Sequence, residues 1–172
     1  MNIELKGNPD LIRSVEEGSR LLLSEHKSSE EKVLTVLLEE APESKSTSIT
    51  KEGNSCHICF REPVQYFRIF NYVLHHSEED FSLEERPFFE KRGFMLDCSR
   101  NAAASPEKLR SIVCRLAKMG MNQLFLYMED TYEVPGYPYF GAYRGRYSQK
   151  ELKDLDKWCT LFGIELIPCI QT

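Results

Sequence analysis

One pattern dominates the second half of the chain: an apolar stretch, a capped amphipathic helix, and another apolar stretch, repeated. Gly93 to Cys98 (GFMLDC) reads as a strand. Ser105-Pro106-Glu107 starts a helix whose Leu109, Ile112, Val113 and Leu116 fall at i, i+3, i+4 and i+7, and Gly120 stands where a helix end favours glycine. Gln123 to Met128 (QLFLYM) is the next strand. After a long loop, 131–147, the capping box Ser148-Gln149-Lys150-Glu151 opens a helix lined by Leu152, Leu155, Cys159 and Phe162 and closed by Gly163. Ile164 to Ile170 (IELIPCI) is the third strand. A helix in each connection is the usual form of a parallel crossover, so the order is β-α-β-α-β in one parallel sheet. The two later strands alternate little, which predicts that both their faces are covered. Three such strands leave an apolar free edge: a small three-layer domain, or the beginning of a larger one.

The first half reads as mixed α and β. Ile3 to Leu5 is a short strand. Asn8-Pro9-Asp10 combines a capping side chain, a first-turn proline and an acid favoured by the helix dipole. Leu11, Ile12, Val15 and Leu22 continue that helix to about residue 25. Val33 to Leu38 is β-rich, and Thr47–Thr50 and Ser55–Phe60 flank a hairpin turn at Glu52-Gly53-Asn54. Pro63 opens a helix carrying Phe67, Phe70 and Leu74. The order is β-α-β-β-β-α, a small sheet with helices packed on it. The polar residues 77–91, ending near Pro87, read as a linker.

Charge divides the chain at the same place. Residues 1–86 hold 10 basic and 17 acidic side chains, a net of −7, whereas residues 87–172 hold 12 and 10, a net of +2. The whole has no basic excess to displace phosphate counterions, which argues against general nucleic-acid binding. With 41% apolar residues there is enough to bury a core. The N-terminal Met1-Asn2-Ile3-Glu4-Leu5 lacks the basic and apolar regions of a signal peptide, and no apolar run approaches a membrane span. A cytoplasmic, membrane-free protein with six reduced cysteines is the expectation.

Chemistry in parallel α/β folds gathers at the C-terminal strand ends. Those ends are Asp97-Cys98-Ser99-Arg100-Asn101, Glu129-Asp130-Thr131-Tyr132-Glu133, and Gln171. An Arg fork among carboxylates suits a polyhydroxylated ligand, because hydroxyls both donate and accept. An Asp97–Arg100 pair that merely ties a loop fits the spacing equally well. Six of the eight tyrosines (127, 132, 137, 139, 143, 147) lie in or beside the loop 131–147, with Phe140 among them. Tyrosine faces stack on sugar rings and tyrosine hydroxyls bond to them, and Tyr132 and Tyr137 are the candidates; packing of the loop onto its scaffold is the alternative. Cys56-His57-Ile58-Cys59 lacks the four ligands of a structural zinc site, and strand alternation turns the two cysteines to opposite faces. No metal and no cofactor is expected.

Specific motifs go further. Arg92-Gly93-Phe94-Met95-Leu96-Asp97-Cys98-Ser99-Arg100 resembles the R-G-x-x-x-D-x-S-R segment that opens the catalytic barrel of family 20 glycoside hydrolases, the β-N-acetylhexosaminidases. Leu116-Ala117-Lys118-Met119-Gly120-Met121-Asn122 is similar to the family's helix end before its second strand. Glu129-Asp130 stands where the family has an acidic pair, Pro168-Cys169-Ile170-Gln171-Thr172 is similar to the end of its third strand, and residues 1–86 resemble its small N-terminal α/β domain.

The resemblance implies an α/β chain with a small α+β N-terminal domain at 1–86, followed at 87–172 by a truncated (β/α)₈ TIM barrel. It implies that Arg100 binds hydroxyls of the terminal sugar, that Asp97 supports it, and that Glu129 and Asp130 also bind substrate. It implies an exo-β-N-acetylhexosaminidase that releases terminal N-acetylhexosamine with retention, the 2-acetamido oxygen attacking the anomeric carbon. The family's acid–base Asp-Glu pair follows a fourth strand. Glu129-Asp130 has the wrong order and strand for it, so the piece alone is expected to be inactive. The partner is then an N-acetylhexosamine-terminated glycan, with homo-oligomer formation through the open barrel edge. The alternative is a stand-alone three-strand α/β binding or interaction module.

Overall fold

The computed structural model describes residues 2–26, 32–41, 46–100 and 102–170, which form two compact units. The first comprises Met1–Glu90 with Ala117–Gly120, the second Lys91–Leu116 with Met121–Thr172.

The first unit runs β1 (Asn2–Gly7), α1 (Pro9–Glu25), β2 (Val33–Glu40), β3 (Thr47–Glu52), β4 (Ser55–Phe60), α2 (Pro63–His75) and β5 (Phe81–Glu85). Its five-stranded sheet has the order β1-β2-β4-β3-β5; β1, β2 and β4 are parallel, and β3 lies antiparallel to β4 and β5. Helix α1 starts as its sequence requires: Asn8 Oδ1 accepts the Asp10 N–H at 2.8 Å, and Pro9 needs no partner. The Gly53-Asn54 turn closes the β3–β4 hairpin. Alternation then sorts the strands: Leu34, Val36, Leu38, Ile49, Cys56, Ile58 and Phe60 are buried together with Val15, Leu22, Tyr66, Phe67 and Phe70 of the helices. The Tyr66 hydroxyl meets Ser19 Oγ at 2.9 Å inside this core, and burial holds its pKa far above the usual phenol range. Lys51 is also buried, and its ammonium donates to the carbonyls of Gly53 and Glu79, each at 2.8 Å.

One expectation fails here. The stretch 77–91 is not a simple linker, because Phe81–Glu85 is β5, paired antiparallel with β3 from Thr47↔Glu85 to Lys51↔Phe81. Phe81 and Leu83 alternate with Ser82 and Glu84, and the half-exposed pattern is that of an edge strand, where charges are tolerated.

The second unit runs β6 (Gly93–Asp97), α3 (Pro106–Lys118), β7 (Gln123–Tyr127), α4 (Gln149–Leu161) and β8 (Glu165–Cys169), with a parallel sheet of order β6-β7-β8. The predicted capping box forms: Ser148 Oγ accepts the Glu151 N–H at 3.2 Å, and the Glu151 carboxylate accepts the Ser148 N–H at 2.8 Å. In register, Phe94, Leu124 and Leu166 form one row and Met95, Phe125 and Ile167 the next, on the opposite face. Leu124 and Leu126 are fully buried, with Leu109, Val113, Leu155, Cys159 and Phe162 of the two helices buried as well. The Met95 row stays open, Met95 itself being 57% exposed. Burial on both faces therefore does not extend to β8, whose residues are half-buried or exposed. Right-handed crossovers, the rule for parallel strands, would bring both helices to one face, and among the described residues of the second unit the Met95 row stays exposed or half-buried. Among the described residues no helix is long and apolar enough to cross a membrane.

Candidate functional site

Asp97, Tyr127 and Cys169 occupy one register row at the C-terminal ends of the three parallel strands, on the same face as Met95, Phe125 and Ile167. The site grows from this open row. Immediately after β6 the chain turns on Asp97, whose Oδ1 accepts from the Ser99 N–H at 2.9 Å, the Ser99 hydroxyl at 2.7 Å and the Arg100 N–H at 3.3 Å. These bonds, that of the Ser99 backbone first, hold the Asp97 carboxyl below the usual carboxylate range. The turn projects Arg100 over the neighbouring strand end. Its guanidinium lies 5.5 Å from the centre of the Tyr127 ring, 3.8 Å from Asp97 Oδ2 and 4.0 Å from Glu129 Oε1. The Arg is two-thirds exposed, and neither carboxylate meets it at tight hydrogen-bond distance, so its donors remain available to a hydroxylated ligand.

After β7 the chain turns sharply. Glu129 has a φ of 50°, the left-handed region that a residue with a Cβ rarely adopts. The turn sends its carboxylate back to accept the Tyr127 hydroxyl at 3.1 Å. Desolvation, and then this bond to a carboxylate, raise the Tyr127 pKa, keeping it a donor. Thr131, buried, ties the turn by donating to the Met128 carbonyl at 2.8 Å.

The long loop 131–147 is a clasp. Its ends pair at Tyr132 and Tyr147, and the Tyr147 hydroxyl donates to the Ala104 carbonyl at 2.7 Å. Arg146 donates to the carbonyls of Pro138 and Phe140 from inside the loop. At its far side Gly141, with a φ of 65°, lies so close to the strand end that an added Cβ would stand 2.1 Å from the Asp130 carbonyl oxygen. That contact sets Arg144 beside the site. Its guanidinium donates to the Ser99 carbonyl and lies 3.5 Å from Asp130 Oδ1, a solvent-sealed oxygen that accepts no hydrogen bond among the described residues. Glu129, Asp130, Phe140 and Arg144 line an open depression of about 320 Å³.

Thus Asp97, Arg100, Glu129 and Asp130, the four substrate-binding candidates, converge. The two tyrosine candidates do not join them. Tyr132 is half-buried, edge-on to Phe140 at 5.2 Å, where it packs the loop. Tyr137 is exposed and lines a separate depression with Glu133, Arg146 and Lys150. Asn101 and Gln171, also placed at strand ends by the sequence, lie outside the described residues. Sequence reasoning missed Arg144, which lies 45 residues from its partner Ser99. Its signal is shared with Arg146, the second arginine of an otherwise aromatic and glycine-rich loop, so the sequence alone does not single it out.

No protein-family model matches the chain. A beta-hexosaminidase of Akkermansia muciniphila is 30% identical over 107 residues, covering 52% of this chain and 22% of that protein. A probable beta-hexosaminidase of Arthroderma benhamiae is 32% identical over 103 residues, covering 55% of this chain and 17% of that one. The chain therefore spans about a fifth of the length of these curated relatives. Among solved structures, the GH20 exo-β-N-acetylglucosaminidase of Vibrio harveyi in complex with N-acetylglucosamine matches 97% of this chain and 32% of its own, with a TM-score of 0.74 at 18% identity. The fold is that seen in part of the GH20 hexosaminidases, and the curated relatives that match about half of the chain carry the name beta-hexosaminidase.

Proposed function

We propose that this chain, similar in sequence to beta-hexosaminidases and in fold to part of the GH20 enzymes, supplies one rim of the sugar pocket of an exo-β-N-acetylhexosaminidase. In this reading residues 1–86 are the small domain that precedes the catalytic barrel, and β6, β7 and β8 are the barrel's first three strands. The open face carrying Met95, Phe125 and Ile167 is then the barrel interior, and the row above it faces the substrate. The observation that supports the reading best is the Arg100 fork, held over Tyr127 between Asp97 and Glu129 at adjacent strand ends.

The chemistry divides between these residues and the substrate. Family 20 hydrolysis is substrate-assisted: the 2-acetamido oxygen displaces the leaving group and no enzyme nucleophile is needed. Arg100 donates charged hydrogen bonds to hydroxyls of the terminal sugar, which fixes the ring while charge develops at its anomeric carbon. Asp97 sets the turn that aims Arg100. Glu129 and Asp130 accept from hydroxyls, Asp130 through its other oxygen, since its Oδ1 is sealed from solvent beside the Arg144 guanidinium. The acid–base Asp-Glu pair belongs to chain outside these 172 residues, and copies of the isolated piece associate through the exposed Phe94, Met95 and Ile170. The test is hydrolysis of an aryl N-acetyl-β-glucosaminide by the 172-residue chain and by the longest product of its reading frame. Turnover is expected only from the latter; robust turnover by the short chain overturns the division of labour. Light scattering of the short chain across a dilution series checks the association, which a stable monomer at high concentration would refute.

A further inference from the structure

The first sheet turns one face to its helices and the other to solvent. On the solvent side three different metal-binding side chains meet. β2 and β4 are parallel neighbours in a register that pairs Glu39 with Cys59, and His57 stands two residues before Cys59 on the same face. Cys56, the other cysteine of the C-x-x-C motif, is buried on the opposite face with Ile58. The sequence motif therefore misleads about the ligand set: the partner that Cys59 and His57 acquire is not Cys56 but a carboxylate 20 residues away.

The geometry is close to one face of a tetrahedron. Glu39 Oε2 lies 3.0 Å from His57 Nε2, Cys59 Sγ lies 3.7 Å from the same nitrogen, and Cys59 Sγ lies 3.9 Å from the same oxygen. Around a zinc-type ion with ordinary Zn–N, Zn–O and Zn–S lengths, the corresponding edges are about 3.4 Å for N···O and about 3.5–3.6 Å for the two edges to sulfur. Each observed edge is within about 0.4 Å of its ideal, a shift that side-chain rotation supplies. A hydrogen-bonded trio accounts for less. The His57–Glu39 contact is a good pair by itself, but both sulfur distances are long, and one thiol proton serves only one acceptor. On β3, Ser48 pairs in register with Cys59 and hydrogen-bonds to its sulfur, the kind of outer contact that orients a ligand.

We propose that Glu39, His57 and Cys59 form a three-ligand site for a zinc-type divalent cation, bridging β2 and β4 and leaving a fourth position open to water. All three ligand atoms lie within 4.8 Å of one another on side chains that are exposed or half-exposed, so an ion reaches them without opening the fold. Thiolate, imidazole and one carboxylate select zinc, cobalt or nickel over magnesium or calcium, which require oxygen cages.

The probe is Co²⁺ added to the purified metal-free chain. Saturable one-to-one binding is expected, with a sulfur-to-cobalt charge-transfer absorption and tetrahedral visible bands, and Mg²⁺ in excess should not compete. Cys59→Ser should abolish the charge-transfer absorption, and His57→Ala should weaken binding by about tenfold or more. Cys56→Ala should keep the absorption. Zn²⁺ should raise the unfolding temperature of the native sequence and leave that of Cys59→Ser unchanged, and matching metal-free unfolding curves for these two show that a lost signal is not a lost fold. An absorption that survives Cys59→Ser, one that requires Cys56, or no saturable binding overturns the site.

Discussion

In the first sheet the inner strands β2, β3 and β4 bury alternate residues and leave the others open to solvent, whereas in the second the central strand β7 is sealed on its helix side alone and both its neighbours are partly open. Val36, Ile58 and Phe60 are fully buried, and alternate positions between them carry Thr35, His57 and Cys59. In the second sheet Leu124 is fully buried while Phe94, its register partner, is 41% exposed. The inner strands of the first sheet thus keep a period of two around one covered face, with Val33 and Leu37 as apolar exceptions on the other. The second spends near-continuous apolar strands on two faces, only one of which its own helices cover. The site residues stand on the uncovered one. The contrast teaches that near-continuous apolar strands need not be buried on both faces, and that the candidate site residues stand on the face that the two helices leave open.

Core truncation gives the largest expected difference between the units. Phe67, fully buried, should cost about 3–5 kcal/mol as Phe67→Ala. Met95→Ala, on the open row, should change stability by less than about 0.5 kcal/mol. Denaturant unfolding of both variants checks this, and a large loss at Met95 would show that its row is covered after all.

Next in size is a loss of function without loss of stability. If the proposed function holds, Arg100→Ala in the longest product of this reading frame should cost about 2–4 kcal/mol in kcat/KM for an aryl N-acetyl-β-glucosaminide, from losing charged hydrogen bonds to the sugar. Its unfolding midpoint should move little, since the Arg makes long ion pairs and a ring contact while two-thirds exposed. Kinetics matching the native sequence would remove Arg100 from the proposed sugar site.

The elements of both units were legible where local chemistry decides them. Asn8-Pro9, Ser148 to Glu151 and Gly53-Asn54 each act within a few residues, and each forms as read. β5 was not legible because it is short and its flanks are acidic: Phe81-Ser82-Leu83-Glu84 alternates, but Ser77 to Asp80 hide the signal. At the site, Asp97, Arg100, Glu129 and Asp130 follow from the strand-end rule. Arg144 does not, because only the fold of the loop brings it back to Ser99 and Asp130. Glu39 is hidden from Cys59 for the same reason, since a parallel register between β2 and β4 is not written in either strand alone.

The clasp that delivers Arg144 supports a finer test. Gly141→Ala places a Cβ against the Asp130 carbonyl at a positive φ and should cost roughly 1–3 kcal/mol. Gly136, also at positive φ but with nothing within 4 Å of the added carbon, should cost less as Gly136→Ala. Thermal unfolding and the rate of proteolytic nicking in 131–147 measure both. Equal effects would mean that only backbone strain matters there, not the approach to Asp130.

The smallest effect separates the two helix caps. Asn8 caps α1 with a side chain that does not titrate, whereas the cap of α4 is shared with a carboxylate. The Ser148 backbone N–H, and then its hydroxyl, hold the Glu151 carboxyl below its ordinary range. A carboxyl whose folded pKa is depressed stabilises the fold above its unfolded value, and that share fades as the pH falls through the folded value. Asn8→Ala should therefore cost about 1 kcal/mol by a margin that does not follow a Glu151 titration. Glu151→Gln should cost about 0.3–1 kcal/mol at neutral pH and low salt, less at high salt, and the margin over the native sequence should close in acid. Denaturant unfolding at neutral and acidic pH reads both margins. A Glu151→Gln margin that stays constant from neutral pH into acid would mean that the carboxylate charge contributes nothing to the α4 cap, leaving the Ser148 hydroxyl to do what Asn8 does for α1.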